Sequence, residues 1–203
     1  MGVTNVIFDF GGVLLRWHPD EIVARLYADA ALRERALQVV FRHPDWLALD
    51  RGTLEEEQAV ERFANRMDRP AAEMWSLLQH VKESLTPIPE SFALVRDLVE
   101  RGVAVYGLSN MSRATFAHLS ARHDLWLSFR GIVISGIVRM IKPEEAIFEH
   151  IRATYGLVPA QTVFIDDHEV NVAAAARLGF HTILFREPPQ CARALHALLP
   201  AAL

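Results

Sequence analysis

Five short apolar runs recur along the chain, at Val3–Phe8, Val103–Leu108, Gly131–Ile134, Thr162–Ile165 and His181–Phe185. They are rich in β-branched residues and are apolar on both faces, without the alternation of a half-exposed strand. Strands of a parallel sheet covered on both faces read in this way. Helical patterns lie between them. Pro89–Glu100 begins with a proline and is followed by Gly102, and Ser112 can cap a segment reaching to about Arg122. Pro143 is expected in the first turn of a helix that runs to Tyr155 and closes at Gly156. The alanine-rich stretch Glu169–Leu178 closes at Gly179. Strands alternating with helices predict an α/β fold with a doubly wound parallel sheet, Rossmann-like in layout.

One region breaks the alternation. Between Trp17 and Leu85 the periodicity is helical and no strand is expected. Thr53-Leu54-Glu55-Glu56 has the spacing of a capping box, which predicts a helix start there. Pro70 is expected to open another helix, with Trp75, Leu78 and Val81 on one face. The two prolines of Thr86-Pro87-Ile88-Pro89 resist helix and mark a return linker. The expected organisation is therefore an α/β core domain from residues 1–16 and 86–203, with an inserted α-helical cap over 17–85.

Composition narrows the class of partner. The 203 residues are 51% hydrophobic and carry a net charge of −4, which argues against disorder and gives no basic footprint for nucleic acid. The lone cysteine, Cys191, excludes an intrachain disulfide framework. No apolar run approaches the roughly 18 residues of a membrane span. A soluble, cytoplasmic chain with neither nucleic acid nor membrane as partner is expected. Cys191 itself is expected to be a helix residue rather than a nucleophile.

In open α/β sheets, ligands bind at the carboxyl ends of the strands. The polar residues there are Asp9 after the first strand, Ser109 and Asn110 after the second, Ser135 and then Lys142 after the third, and Asp166 and Asp167 after the fourth. A parallel sheet brings these together from distant parts of the chain. Three crowded carboxylates raise one another's pKa, and a divalent cation relieves the repulsion. Oxygen ligands without histidine or cysteine favour Mg²⁺ over zinc. Lys142 and Ser109, the latter just before a helix start, suit an anion such as phosphate. The chemistry read from these residues is metal-assisted phosphoryl transfer. Asn171 reads as a helix-surface residue.

Four segments carry a family resemblance: Ile7-Phe8-Asp9-Phe10-Gly11-Gly12-Val13, Leu108-Ser109-Asn110, Ile141-Lys142-Pro143 and Phe164-Ile165-Asp166-Asp167. In this order and spacing they resemble the haloacid dehalogenase-like (HAD) hydrolases, including a helical cap inserted after the first motif. The Asp-Phe-Gly-Gly-Val form, with Asp45-Trp46 and Asp50-Arg51-Gly52 in the insertion, is similar to a bacterial branch that includes α-glucose-1-phosphate phosphatases. The resemblance implies a hydrolase that splits a small phosphorylated metabolite, such as a sugar phosphate, through an aspartyl-phosphate on Asp9. It implies Mg²⁺ held by Asp9, Asp167 and the Gly11 carbonyl, with Asp166 acting directly or through water. Ser109 and Asn110 would hold the phosphoryl oxygens, and Lys142 would offset their charge.

The pattern departs from the family at Gly11, where most of its phosphatases carry a second aspartate that protonates the leaving group. General acid–base help is worth about 10²–10⁴-fold. His18, His43 and Asp45 are the candidate substitutes in the insertion, and Trp46 is the aromatic candidate for substrate contact. Two other functions remain open at this stage. A 2-haloacid dehalogenase would use the same aspartate without metal. A weakly catalytic or regulatory phospho-ligand binder would exploit the absent acid.

Overall fold

The computed structural model describes residues 2–199; the outermost residues of the expected core segments, 1 and 200–203, lie outside the described residues. Five strands, β1 (Asn5–Phe8), β2 (Ala104–Ser109), β3 (Gly131–Ile134), β4 (Thr162–Asp166) and β5 (His181–Leu184), form one sheet in the order β3-β2-β1-β4-β5. Every pairing is parallel. β1 sits at the centre, so Asp9 leaves the sheet at its middle, flanked by the carboxyl ends of β2 and β4.

The all-apolar strands are explained by what covers them. Val6 and Phe8 face one side with Val105, Val163, Ile165 and Ile183, packed against helices α6 (Pro89–Glu100) and α11 (Pro188–Leu198). Ile7 faces the other side with Tyr106, Leu108 and Phe164, under α9 (Glu145–Tyr155) and α10 (Glu169–Arg177). Burying one such side chain contributes about 1.5–3 kcal/mol, and here both faces of each central strand do so. Cys191 is buried on α11.

Between Pro19 and Ser84 every regular element is a helix. It comprises α1 (Pro19–Leu26), α2 (Ala30–Ala36) running into a π-helical turn (Leu37–Phe41), α3 (Pro44–Arg51), α4 (Glu56–Met67) and α5 (Ala71–Ser84). These helices enclose an apolar cluster of their own, centred on Val40, Phe63, Met67, Met74 and Leu77. Among the described residues, no helix is long and apolar enough to cross a membrane.

Three local expectations are corrected. α4 begins at Glu56, not at Thr53: the Gln58 side chain accepts from the Glu55 N–H, while the Thr53 hydroxyl donates to the Ala48 carbonyl and finishes the preceding helix. The buried face of α5 is Met74, Leu77, Leu78 and Val81, and Trp75 is 39% exposed, so it lies off the buried stripe. Pro143 precedes α9 instead of occupying its first turn, because Asn110 ties down the Lys142 backbone through both its N–H and its carbonyl. α7 (Arg113–Ser120) starts where expected, with the Ser112 hydroxyl accepting from the Thr115 N–H.

Candidate active site

Asp9 follows β1, and its Oδ1 accepts from the Phe10 N–H at 2.6 Å and from Lys142 Nζ at 2.8 Å. Lys142 is buried and donates also to the Leu108 carbonyl at 2.9 Å and to Asp166 Oδ2 at 2.7 Å. All three of its donors are therefore spent on β1, β2 and β4, and the ammonium cross-links the ends of three strands. Burial works to strip Lys142 of its proton, but the charges of Asp9 and Asp166 outweigh it and hold the pKa above the usual lysine value.

Asp166 is fully enclosed. Besides Lys142 it accepts from the His168 N–H at 2.8 Å and from Asn171 Nδ2, which reaches both carboxylate oxygens at 3.0 Å. Its oxygens are saturated by the protein. Asn171, expected on a helix surface, is instead buried at the first turn of α10 and holds Asp166 in place. Asp167 differs: its Oδ1 is buried and, among the described residues, has no hydrogen-bond partner, with the His168 Nε2 3.9 Å away. Gly12 lies against this carboxylate at a positive φ of 75°, and a Cβ there would collide with it. One carboxylate oxygen from each of Asp9, Asp166 and Asp167 lies within 4.8 Å of the others.

This donor set fits a hard divalent cation. The ligand atoms are all oxygens, and one of them is buried and unpartnered, a costly state that an ion would remedy. Without a cation, burial pushes Asp9 up to about 7; Lys142 opposes the shift, and Asp166 and Asp167 add to it. Asp167 is raised as well, by burial first and then by Asp166, with His168 pulling the other way.

Above these carboxylates is a cavity of about 420 Å³ into which Asp9, Gly11, Asn110, Lys142 and Asn171 open. Its walls are Trp17, Leu37, Phe41, Trp46, Val81, Leu85 and Met111. The π-helical turn brings Leu37 and Phe41 to this side. Three rings form a continuous surface: Trp17 stacks on Trp46 with centroids 6.0 Å apart, and Phe41 lies 4.7 Å from Trp46. The side chain that Gly11 lacks would face Trp17, whose Cβ lies 3.8 Å from the Cβ position.

The other residues singled out in the insertion lie elsewhere. His18 borders a separate hollow with Arg16, Glu21 and Arg25. His43 caps α3, its Nδ1 accepting from the Asp45 N–H at 3.1 Å. Asp45 is engaged by Arg62 at 3.0 Å and Arg66 at 2.8 Å; burial disfavours its charge, but these two guanidinium groups outweigh it and lower the pKa. Ser109 is buried at the end of β2, beside the cavity-lining Asn110. The structure adds a residue that the reading of side-chain chemistry passed over. Asp50, at the end of α3, lines the same cavity as Asp9. The only signal for it was the Asp50-Arg51-Gly52 stretch noted in the resemblance.

The model of haloacid dehalogenase-like hydrolases matches residues 3–179. The chain belongs to this family. Among curated relatives, the sesquiterpene phosphatase astK of Aspergillus oryzae is 30% identical over 173 residues, covering 85% of both chains. Among solved structures, a HAD family enzyme of Bacteroides thetaiotaomicron in complex with magnesium and inorganic phosphate superposes with a TM-score of 0.72 at 23% identity, covering 91% of this chain and 95% of that one. An L-2-haloacid dehalogenase of Xanthobacter autotrophicus, with chloropropionic acid covalently bound, has a TM-score of 0.69 at 19% identity, covering 98% and 86%. Both structures share the HAD fold with this chain, and the chain is a hydrolase of that family.

Proposed function

We infer that this enzyme is a Mg²⁺-dependent phosphatase acting on a phosphate monoester with an apolar organic part, through an aspartyl-phosphate on Asp9. The observation that carries the reading is the pairing of one aromatic and aliphatic cavity with a carboxylate–lysine cluster at its base. The similarity to a protein named a sesquiterpene phosphatase supports it.

Asp9 and Asp167, with the Gly11 carbonyl, would hold the cation. When bound, Mg²⁺ would neutralise the carboxylates and stabilise charge on the phosphoryl oxygens. Lys142 holds Asp9 Oδ1 at a fixed point and supplies positive charge beside the incoming phosphoryl group. Asn171 and Lys142 fix Asp166, and Asp166 in turn keeps Lys142 charged. Asp9 attacks phosphorus, the bond to the leaving oxygen breaks, and water later cleaves the acyl phosphate. The rings of Trp17, Phe41 and Trp46 would enclose the organic group and exclude water from the site. In this reading the helical segment 17–85 is the substrate-selecting cap.

The sugar phosphate suggested by the resemblance is the natural comparison. Its hydroxyls would need hydrogen-bond partners along walls that are largely hydrocarbon. The test is phosphate release with Mg²⁺ from farnesyl monophosphate and from glucose 1-phosphate. At about 0.8 kcal/mol per buried CH₂, several such groups give an advantage on the order of a hundredfold in kcat/KM for the isoprenoid. Preference for the sugar phosphate would overturn the apolar assignment, and release from neither would overturn the phosphatase reading. The dehalogenase reading is weaker, because uncompensated carboxylates beside Asp9 repel a haloacid anion; halide release surviving EDTA would restore it. A phospho-Asp9 adduct that persists without turnover would favour the regulatory binder.

A further inference from the structure

Gly11 leaves the reaction without a side chain beside the nucleophile to protonate the leaving oxygen. Few groups near the nucleophile could take its place. Of the ionisable groups that line the cavity, Lys142 is spent on Asp9, Asp166 and the Leu108 carbonyl. Asp20, Arg42, His168 and Asp50 remain. Arg42 does not give up its proton at neutral pH. The His168 side chain is 64% exposed, and Asp20 is exposed at the start of α1. A water-exposed group has no fixed relation to the reacting oxygen. Asp50 is different in three respects.

First, the backbone that carries Asp50 is clamped to the sheet side of the molecule. Its carbonyl accepts from the buried Ser135 hydroxyl at 2.5 Å, and that same hydroxyl accepts from the Met111 N–H at 2.9 Å. The next residue, Arg51, makes a two-pronged ion pair with Glu144, at 2.8 and 2.5 Å. The one after, Gly52, lies against the Gly136 carbonyl so closely that a Cβ would collide with it. Three successive residues thus dock α3, and from that seam Asp50 lines the cavity shared with Asp9.

Second, among the described residues no cation is paired with the Asp50 carboxyl. The Ser112 backbone and the Trp46 side chain lie beside it. Third, burial pushes it up to about 8; the Ser112 backbone and the Trp46 side chain oppose the shift and the charge of Asp9 adds to it. A carboxyl in this condition carries a proton at neutral pH, as a general acid must.

Resting on the phosphatase reading above, we propose that Asp50, delivered across the seam by α3, is the general acid and base that Gly11 does not supply. In the first step Asp9 Oδ forms a bond to phosphorus, the bond from phosphorus to the leaving oxygen breaks, and its electron pair takes the proton of Asp50. The alcohol departs, leaving aspartyl-phosphate and an Asp50 carboxylate. In the second step that carboxylate takes a proton from water while the water oxygen bonds to phosphorus. The bond from Asp9 to phosphorus breaks, and inorganic phosphate, the Asp9 carboxylate and protonated Asp50 are restored.

The experiment compares Asp50→Asn on farnesyl monophosphate, whose alkoxide leaves poorly, and on 2,4-dinitrophenyl phosphate, whose leaving group needs no proton. The expected result is a loss in kcat/KM, which reports the steps up to formation of the aspartyl-phosphate, of about 10²–10⁴-fold on the alkyl ester and less than about tenfold on the dinitrophenyl ester. The kcat on the dinitrophenyl ester should fall as well, through the water step common to both. An equal loss in kcat/KM on both would assign Asp50 a structural role and overturn the proposal, as would no loss on either. If Asp50→Asn does not fold, the wild-type pH profile decides. The kcat/KM should fall at alkaline pH on the alkyl ester and not on the dinitrophenyl ester; matching kcat/KM profiles would contradict the proposal. Wild-type enzyme inactive on both esters would instead overturn the phosphatase reading on which it rests.

Discussion

Lys142 Nζ stands 2.8 Å from Asp9 Oδ1 and 2.7 Å from Asp166 Oδ2, with all three side chains buried. One ammonium thus serves two carboxylates on separate strands, and its removal leaves both uncompensated. Breaking a buried ion pair from one side costs about 3–5 kcal/mol. Lys142→Ala is expected to lose stability of this order in urea unfolding without metal. Mg²⁺ should restore part of the loss while phosphate release stays abolished.

Metal binding should depend on pH in a stated direction. Asp9 is raised from 3.8 to about 7 when no cation is present. The contribution of its protonated form to stability is full below 3.8 and lost as pH rises through about 7. Metal-free protein should therefore weaken across that window. Mg²⁺, which binds the ionised carboxylates, should stabilise more as pH rises. Melting temperatures with Mg²⁺ and with EDTA, taken at about pH 5 and about pH 8, should separate more widely at the higher value. An equal separation at both would contradict the assignment.

Asn171→Ala removes the amide that reaches both Asp166 oxygens. Loss of such an orienting partner typically costs 10–100-fold in metal affinity or activity. A fall of about that size in kcat, with Mg²⁺ affinity measured alongside, is expected. Wild-type kinetics in this variant would mean that Asp166 needs no such support.

The sheet was largely legible because its strands are buried on both faces. β1 to β5 match the apolar runs to within a residue or two, and Asp9, Ser109, Asp166 and Asp167 follow from where those runs end. What escaped the reading depends on contacts between distant segments. Asn171 looks like a surface residue by its helical position, and only the fold of α10 over β4 buries it against Asp166. Asp50 sits in a helix whose pattern carries no chemistry, and its significance comes from the docking of α3 on Ser135 and Gly136. His43 and Asp45 have the right chemistry, but local capping and two arginines engage them first.

Gly52 tests that docking independently of any charge. It holds a φ of 75°, and a Cβ there would meet the Gly136 carbonyl. Gly52→Ala is expected to cost at least about 1–3 kcal/mol in unfolding experiments. It should also lower activity on alkyl phosphates through the shift of α3.

Cys191 should behave as packing. Burial pushes its thiol up to about 12, so little thiolate is available near neutrality. A thiol reagent should fail to label native protein and should label it once urea unfolds it. Rapid labelling of the native state would mean that α11 opens readily.

The central claim is that Asp9 carries the phosphoryl group, and Asp9→Asn tests it most directly. The variant keeps the side-chain shape and removes the attacking charge. With Mg²⁺ and farnesyl monophosphate, wild-type enzyme should release inorganic phosphate through many turnovers, while folded Asp9→Asn protein should release none above background. Phosphate release at the wild-type rate by the variant would contradict the account.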